Sequence, residues 1–342
     1  MSRGRACARP DKRGDVRFKM APKVSVLIPT YNYARYLPEA IESVLSQSFT
    51  DFELIILDDH STDETAEILA RYAAQDGRIS FKINPHNLGM VSNWNKCLGE
   101  AAGEYVKYLF ADDLLCSADA LRLMVTALDE EPAASMVASA RSIIDSAGRR
   151  NTVMAPFGDS ALIDGGWVIS RCLGWQKNLI GEPTAVMFRK CFSGDGFNPK
   201  LRQIVDMEFW FRLLEKGGLA YIGRPLVAFR KHIGQQTVSN SLNPLVMEDT
   251  ERLLAEYAFN DVKHYIDLSP LRKIYLLYDY NYQIWRLQRQ GVLERSLARE
   301  KIASGYGWGR FVSGYPLYKL FKPLNKLFFL MRQSTPPGKV RR

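Results

Sequence analysis

The sequence predicts an α/β fold: a mostly parallel sheet with crossover helices, followed by a smaller helical C-terminal region. Three observations predict it. Between Val24 and Phe110 four short apolar, β-branched runs alternate with three segments of helical spacing, the pattern of parallel strands joined by crossover helices. Beyond about Gly234 the strand-like runs stop and long helical stretches take over. The chain has 342 residues, 46% hydrophobic and 24% charged, the balance of a folded protein with one large domain and an appendage.

The first strand is expected over Val24–Pro29. Leu37, Ile41, Val44 and Leu45 then fall on one helical face. A second strand is expected over Phe52–Leu57, and the polar run Asp58-Asp59-His60-Ser61-Thr62-Asp63 opens a helix over Glu64–Ala74. A third strand, Ile79–Ile83, leads through Asn84-Pro85-His86-Asn87-Leu88-Gly89 into a helix that runs to about Ala102. The fourth strand, Tyr105–Phe110, stops at Ala111-Asp112-Asp113. Further on, Leu226–Ala228 reads as a short strand, and Phe209, Leu213 and Leu214 as one face of a short helix capped by Asp206. Helices are expected from Pro244 to Tyr265 and from Ser269-Pro270 onward, the latter with Ser as N-cap and Pro at the first helical position. The organisation this gives is a basic, disordered tail over 1–20, an α/β domain over 21–240 and a helical region over 241–342.

Of the net charge of +9, residues 1–20 carry +5 and residues 301–342 carry +9, so residues 21–300 are net −5. Basic ends on an acidic middle argue against nucleic acid as a partner and for contact with an anionic surface. The five cysteines have no Cys-x-x-Cys spacing, which argues against a zinc site or a disulfide framework. The first residues lack an apolar signal core, and no run approaches the ~18 apolar residues of a membrane span. Chemistry is therefore expected in the cytoplasm or on the cytoplasmic face of the membrane.

In parallel sheets ligands bind beyond the carboxyl ends of the strands. Here three strands deliver Thr30-Tyr31, Asp58-Asp59 and Asp112-Asp113 to one edge. Adjacent carboxylates repel each other and resist desolvation, a conflict that a divalent Mg²⁺ or Mn²⁺ resolves. Such a cation neutralises a diphosphate leaving group. The plainer reading is that both pairs cap the turns that follow them. Asp59 is also suited to accept hydrogen bonds from a base or a ribose, and Tyr31 to offer an aromatic face. Asp206 at the mouth of a cleft is a candidate general base, with Glu208 as its substitute. His232 matters only if it folds back towards the metal. No Gly-x-Gly-x-x-Gly follows the first strand, which argues against a nicotinamide-dependent enzyme.

The segments Pro22–Asn32, Ile41–Ser48, Phe52–Thr65, Asn87-Leu88-Gly89, Asn95, Ala102–Val106 and Asp112-Asp113 resemble, in order, the family-2 inverting glycosyltransferases of the GT-A fold. The likeness is close over residues 22–130 and looser over 180–235. It implies a nucleotide-sugar donor, usually a uridine diphosphate sugar. Pro29, Thr30, Tyr31 and Asn87 would then border the donor. Asp59 would bind its base, Asp112 its ribose or sugar, and Asp113 the metal. Asp206 would be the catalytic base, with His232 near the metal or diphosphate. Ala111 stands where many relatives carry another Asp, and the Gln-x-x-Arg-Trp motif of processive synthases is missing, which favours single additions. The expected activity is inverting, metal-dependent transfer to a glycan or lipid-linked acceptor in surface polysaccharide synthesis. The alternative is a catalytically silent nucleotide- or glycan-binding module. From Tyr315 to Arg332 apolar residues recur at helical spacing with Lys319, Lys322 and Lys326 between them, as expected of a segment lying on an anionic membrane, with a break at Pro323.

Overall fold

Strand β1 (Val24–Thr30) is buried along its whole length, because both faces of a parallel sheet are covered by helices. In the computed structural model, which describes residues 21–232, 234–235, 246–259, 270–305 and 307–331, β1 lies between β2 (Phe52–Asp58) and β4 (Tyr105–Tyr108), parallel to both. Strand β3 (Ile79–Ile83) pairs with β2. The crossovers are α1 (Leu37–Leu45), α2 (Thr65–Gln75) and α3 (Met90–Glu100). The register sets Thr30 opposite Asp58 and Asp58 opposite Ile83, so three strands end level at one edge.

The chain continues through β5 (Leu114–Leu115), α4 (Ala120–Glu130), β6 (Ala134–Ile144), β7 (Arg150–Met154), β8 (Ala161–Ile163), α5 (Gly165–Trp175), β9 (Val186–Arg189), α6 (Val205–Leu214) and β10 (Gly218–Arg230). The sheet order is β3-β2-β1-β4-β9-β6-β10-β5. Strand β9 runs antiparallel between β4 and β6, and β10 is parallel to β6. The site edge therefore collects the ends of β1, β2, β4, β6 and β10 and the beginning of β9. Residues Leu226–Ala228, expected as a short strand, are the end of the thirteen-residue β10. Register shifts around Pro225, which cannot donate to a ladder, break its sequence pattern. Strand β4 ends at Tyr108, two residues early. Asp206 is not an N-cap: Ile204 holds that position and Asp206 lies in the first turn of α6.

Helix α7 (Val246–Tyr257) docks on the catalytic domain. Asp249 Oδ2 accepts from the amides of Arg202 (2.6 Å) and Gln203 (2.8 Å), and the Tyr257 ring meets Phe211 edge-on at 5.0 Å. Helices α8 (Pro270–Arg289), α9 (Arg295–Gly305) and α10 (Trp308–Met331) follow. Tyr278 of α8 stacks on Phe311 and Tyr318 of α10, at 5.3 and 4.7 Å. The expected break at Pro323 does not occur: α10 runs through both Pro316 and Pro323. The carbonyls that these prolines leave without a helical partner belong to Val312 and Lys319, both exposed residues, where solvent can supply the missing donor. Tail residues 1–20, the boundary near residue 240 and Arg332 lie outside the described residues.

Gly103 shows how tightly the site-bearing strands are joined. Its amide donates to Ser25 Oγ at 2.8 Å, and a Cβ there would lie 2.6 Å from the Ser25 nitrogen and 2.8 Å from the Val24 carbonyl carbon. Neither backbone atom can move without shifting β1. Gly103→Ala is expected to destabilise the fold by about 1–3 kcal/mol in urea denaturation. Gly77→Ala, with nothing within 4 Å of the new Cβ, is expected to stay within about 1 kcal/mol of the parent.

Candidate active site

The loops after β1 and β2 are stitched together. Asn32 adopts a left-handed conformation (φ 57°); its amide donates to Ser61 Oγ at 2.8 Å, and its side-chain oxygen accepts from the Thr62 amide at 2.8 Å. Asp58 accepts from the amide and hydroxyl of Ser61. Burial holds its carboxyl above the usual range, with the Ser61 bonds opposing. Asp59 is buried and its oxygens are engaged: Oδ1 accepts from Asn84 Nδ2 and the Leu88 amide, both at 2.8 Å, and Oδ2 from the Gly89 amide at 2.9 Å. Asp59, expected at the base, thus shapes the Asn84–Gly89 loop that would face it. Asn87 is exposed on that loop, its Oδ1 accepting from the Gly89 amide. Pro29 and Thr30 are buried at the end of β1, and Tyr31 is exposed beyond them.

The two carboxylates after β4 have different surroundings. Asp113 is fully buried. Its Oδ2 accepts from the Thr184 hydroxyl at 2.6 Å and its Oδ1 from the Arg230 amide at 2.8 Å. Burial, then the charge of Asp112, push its carboxyl well above the usual range. Beneath it Lys107, buried in β4, donates to the carbonyls of Tyr108 and Thr184. Burial lowers this ammonium to about 7, against the opposing pull of Asp113. The Arg230 side chain donates Nε to the Asp112 carbonyl (2.7 Å) and Nη2 to Glu39 (2.6 Å). Asp112 is also buried, though less completely, and its Oδ2 lies 3.1 Å from His232 Nε2 and 3.4 Å from Gln235 Nε2. The rings of Tyr33 and Tyr36 flank that imidazole, at 5.8 and 5.1 Å. His232 therefore does fold back, and it meets Asp112. Each oxygen of Asp113, expected at the metal, accepts one hydrogen bond from the fold, and it is Asp112, not Asp113, that stands beside His232.

Asp206 sits across the same edge. Its Oδ2 accepts from Asn178 Nδ2 at 2.8 Å and its Oδ1 from the Met207 amide at 2.7 Å. Burial first, then the charge of Glu182, push its carboxyl up to about 7. The loop before β9 supplies this environment. Asn178 also brackets Gly181, and Trp210 Nε1 donates to the Gly181 carbonyl at 3.0 Å. Glu182 pairs with the buried Arg141 guanidinium at 2.7 Å. Glu208 is unavailable as a substitute base. Two residues along a helix it falls on nearly the opposite side, and Arg212 grips it through Nε at 2.8 Å and Nη2 at 3.2 Å.

The edge is thus acidic, with Asp112, Asp113, Glu182 and Asp206 around it. Of its buried cations, Lys107 and Arg230 donate to protein carbonyls, and Arg141 pairs with Glu182 while its Nη1 has no hydrogen-bond partner among the described residues. A diphosphate entering here needs a counter-cation. Among the described residues no group of three His, Cys, Asp or Glu forms a metal cage. A carboxylate and an imidazole side by side fit an ion of the Mn²⁺ or Mg²⁺ class that takes its remaining oxygens from substrate phosphates and water.

Residues 25–193 match the family model described as Glycosyl transferase family 2. An uncharacterized protein of Mycobacterium tuberculosis, MT1568, is 30% identical over 244 residues, covering 68% of this chain and 75% of that protein. The chain belongs to glycosyl transferase family 2. TuaG of Bacillus subtilis, a glycosyltransferase assigned to teichuronic acid biosynthesis, is 29% identical over 255 residues, 71% of this chain and 97% of its own length. Crystalline S. aureus TarS with UDP-GlcNAc superposes with a TM-score of 0.60 at 20% identity, covering 88% of this chain and 92% of that one. The mannosyltransferase PcManGT from Pyrobaculum calidifontis, solved with GDP-Man and Mn²⁺, gives 0.51 at 15% identity, covering 92% and 87%. With these two the likeness is one of fold.

For this family-2 enzyme, sequence reasoning missed Lys107, Arg141, Asn178, Glu182, Thr184 and Arg230. Only Arg230 and Lys107 carried a signal, as charges inside apolar runs. A double-mutant cycle tests the buried network. Lys107→Met and Asp113→Asn are each expected to lose about 3–5 kcal/mol in urea denaturation, the cost of breaking a buried charge arrangement from one side. The double variant is expected to lose less than the sum; strict additivity would mean that the two residues do not act together.

Proposed function

We propose that this family-2 glycosyltransferase moves a single sugar, with inversion, from a nucleotide diphosphate sugar to a hydroxyl of a glycan or lipid-linked acceptor in surface polymer synthesis. The observation that carries the reading is the pairing, across one sheet edge, of Asp112 beside His232 with an Asp206 carboxyl raised to about 7. A uridine nucleotide is the favoured donor, supported by the UDP-GlcNAc in TarS. PcManGT holds GDP-Man instead, so the base has to be tested. The polymer context rests on TuaG and on the E. coli chondroitin synthase, 29% identical over 209 residues, of which the chain covers 28%.

In this reading Asp206, held by Asn178, takes the proton of the acceptor hydroxyl. The acceptor oxygen bonds to the anomeric carbon as the bond to the diphosphate breaks on the opposite face. When bound at Asp112 and His232, a divalent cation supplies the positive charge that the acidic edge lacks, an electrostatic contribution of the kind that dominates group transfer. Pro29, Thr30, Tyr31 and the Asn87 loop border the donor. The Glu182–Arg141 pair, beside Asp206, lines the acceptor side.

A general base has to be ionised to work, and the Asp206 carboxyl is neutral below its shifted pKa. In a screen of UDP- and GDP-sugars with Mn²⁺, one donor is expected to release its nucleoside diphosphate in step with acceptor. With that donor, kcat/KM should rise tenfold per pH unit below about 7 and level off above it. Asp206→Asn is expected to cost about 10²–10⁴ in rate, as loss of a general base does, while the nucleotide still binds. A folded Asp206→Asn protein that transfers at the parental rate would overturn the assignment.

A further inference from the structure

Helix α10 has two apolar sides, and among the described residues only one of them has a partner. Phe311, Tyr315 and Tyr318, at i, i+4 and i+7, face α8: Phe311 and Tyr318 are buried, and Tyr315 packs on Tyr282 at 6.0 Å. Val312, Pro316 and Leu320, at i, i+4 and i+8, lie on another side with Leu317. Val312 is 54% exposed, Leu317 59% and Leu320 62%. The sequence continues the same spacing from Leu320 at Leu324, Leu327, Phe328 and Met331. Most surface helices show a single apolar stripe, which the core consumes. Here the stripe facing the core is complete, and a second remains outside.

The charge beside that second stripe has one sign. Lys319 is exposed at its edge, whereas Lys322 turns to α8, its Nζ donating to Tyr318 Oη at 2.9 Å and lying 3.7 Å from Asp279; residues 301–342 hold nine Lys or Arg and no Asp or Glu. A protein partner matched to this face would need an apolar strip beside a run of carboxylates. An anionic bilayer offers both properties everywhere on its surface. Among the described residues no helix is long and apolar enough to cross a membrane, so the contact is one of lying on the surface.

We infer that the outward face of α10, through Val312, Leu317 and Leu320 with Lys319 at its flank, seats the enzyme on an anionic lipid surface. Docked through α7 and α8, the catalytic domain would then work at that surface, where a lipid-linked acceptor would present its hydroxyl. The seat is independent of which donor the site takes.

The test is co-sedimentation of the full chain with vesicles of phosphatidylcholine alone or with phosphatidylglycerol, at low and high salt, with sedimentation velocity in parallel. The full chain is expected to bind the anionic vesicles and to lose most of that binding in high salt. Lys319→Gln should weaken the partition about fivefold, and Leu317→Asn with Leu320→Asn by tenfold or more, with unchanged circular dichroism and unchanged transfer to a water-soluble acceptor. Equal binding to both vesicle types, no binding, or a dimer that the leucine substitutions dissolve would each overturn the inference; the last would assign this face to a second copy of the chain. Vesicle binding is read without turnover, so its failure is separable from failure of the transfer reading.

Discussion

A carboxylate without exposure at the rim of a sheet has to be compensated from every direction, and Asp113 is such a group. Two segments distant in sequence meet on it, Thr184 just before β9 and the Arg230 amide at the end of β10, and the Lys107 ammonium of β4 acts on it through its charge. A buried polar group left without partners costs about 1–3 kcal/mol, so the segments that supply these partners are held in place around it. The antiparallel insertion of β9 makes this possible, because it brings the beginning of a strand to an edge otherwise built from strand ends.

The site inherits its geometry from that compensation. Arg230 reaches from its bond with Asp113 to the Asp112 carbonyl and to Glu39, and so fixes the turn that presents the Asp112 carboxylate to His232. On the other side, the loop carrying Thr184 also carries Glu182, and it begins at Asn178, which holds Asp206. The Asp112–His232 side and the Asp206 side of the edge are therefore two ends of one hydrogen-bonded structure. The apolar Phe188–Phe197–Phe209–Trp210 cluster under α6 keeps the helix that bears Asp206 from drifting.

Much of this was legible before the structure. Strands β1 to β3 are contiguous apolar runs bounded by polar turns, and their ends were read within a residue. The identity of Asp206 was legible as a carboxylate opening an apolar helix. Other features were not, for identifiable physical reasons. Asp112 and Asp113 are neighbours of one type, and a linear reading cannot tell which one turns inward; adjacent residues leaving a strand face opposite ways. Lys107 stands out as a charge inside an apolar run, but nothing local reveals the carbonyls awaiting its ammonium. Asn178 and Thr184 look like ordinary loop residues, because their partners lie 28 and 71 positions away. In α10, propensity at Pro323 predicts a break, and exposure of the opposed carbonyl removes the penalty.

The central claim is that Asp112 and His232, and not Asp113, hold the divalent cation together with the donor diphosphate. Electron paramagnetic resonance of Mn²⁺ with UDP or GDP tests it most directly, since free and bound Mn²⁺ differ in signal intensity. The account predicts that nucleoside diphosphate and protein together sequester Mn²⁺, that Asp112→Asn and His232→Gln each abolish this, and that folded Asp113→Asn retains it. Sequestration that survives loss of Asp112 but disappears with folded Asp113→Asn would contradict it.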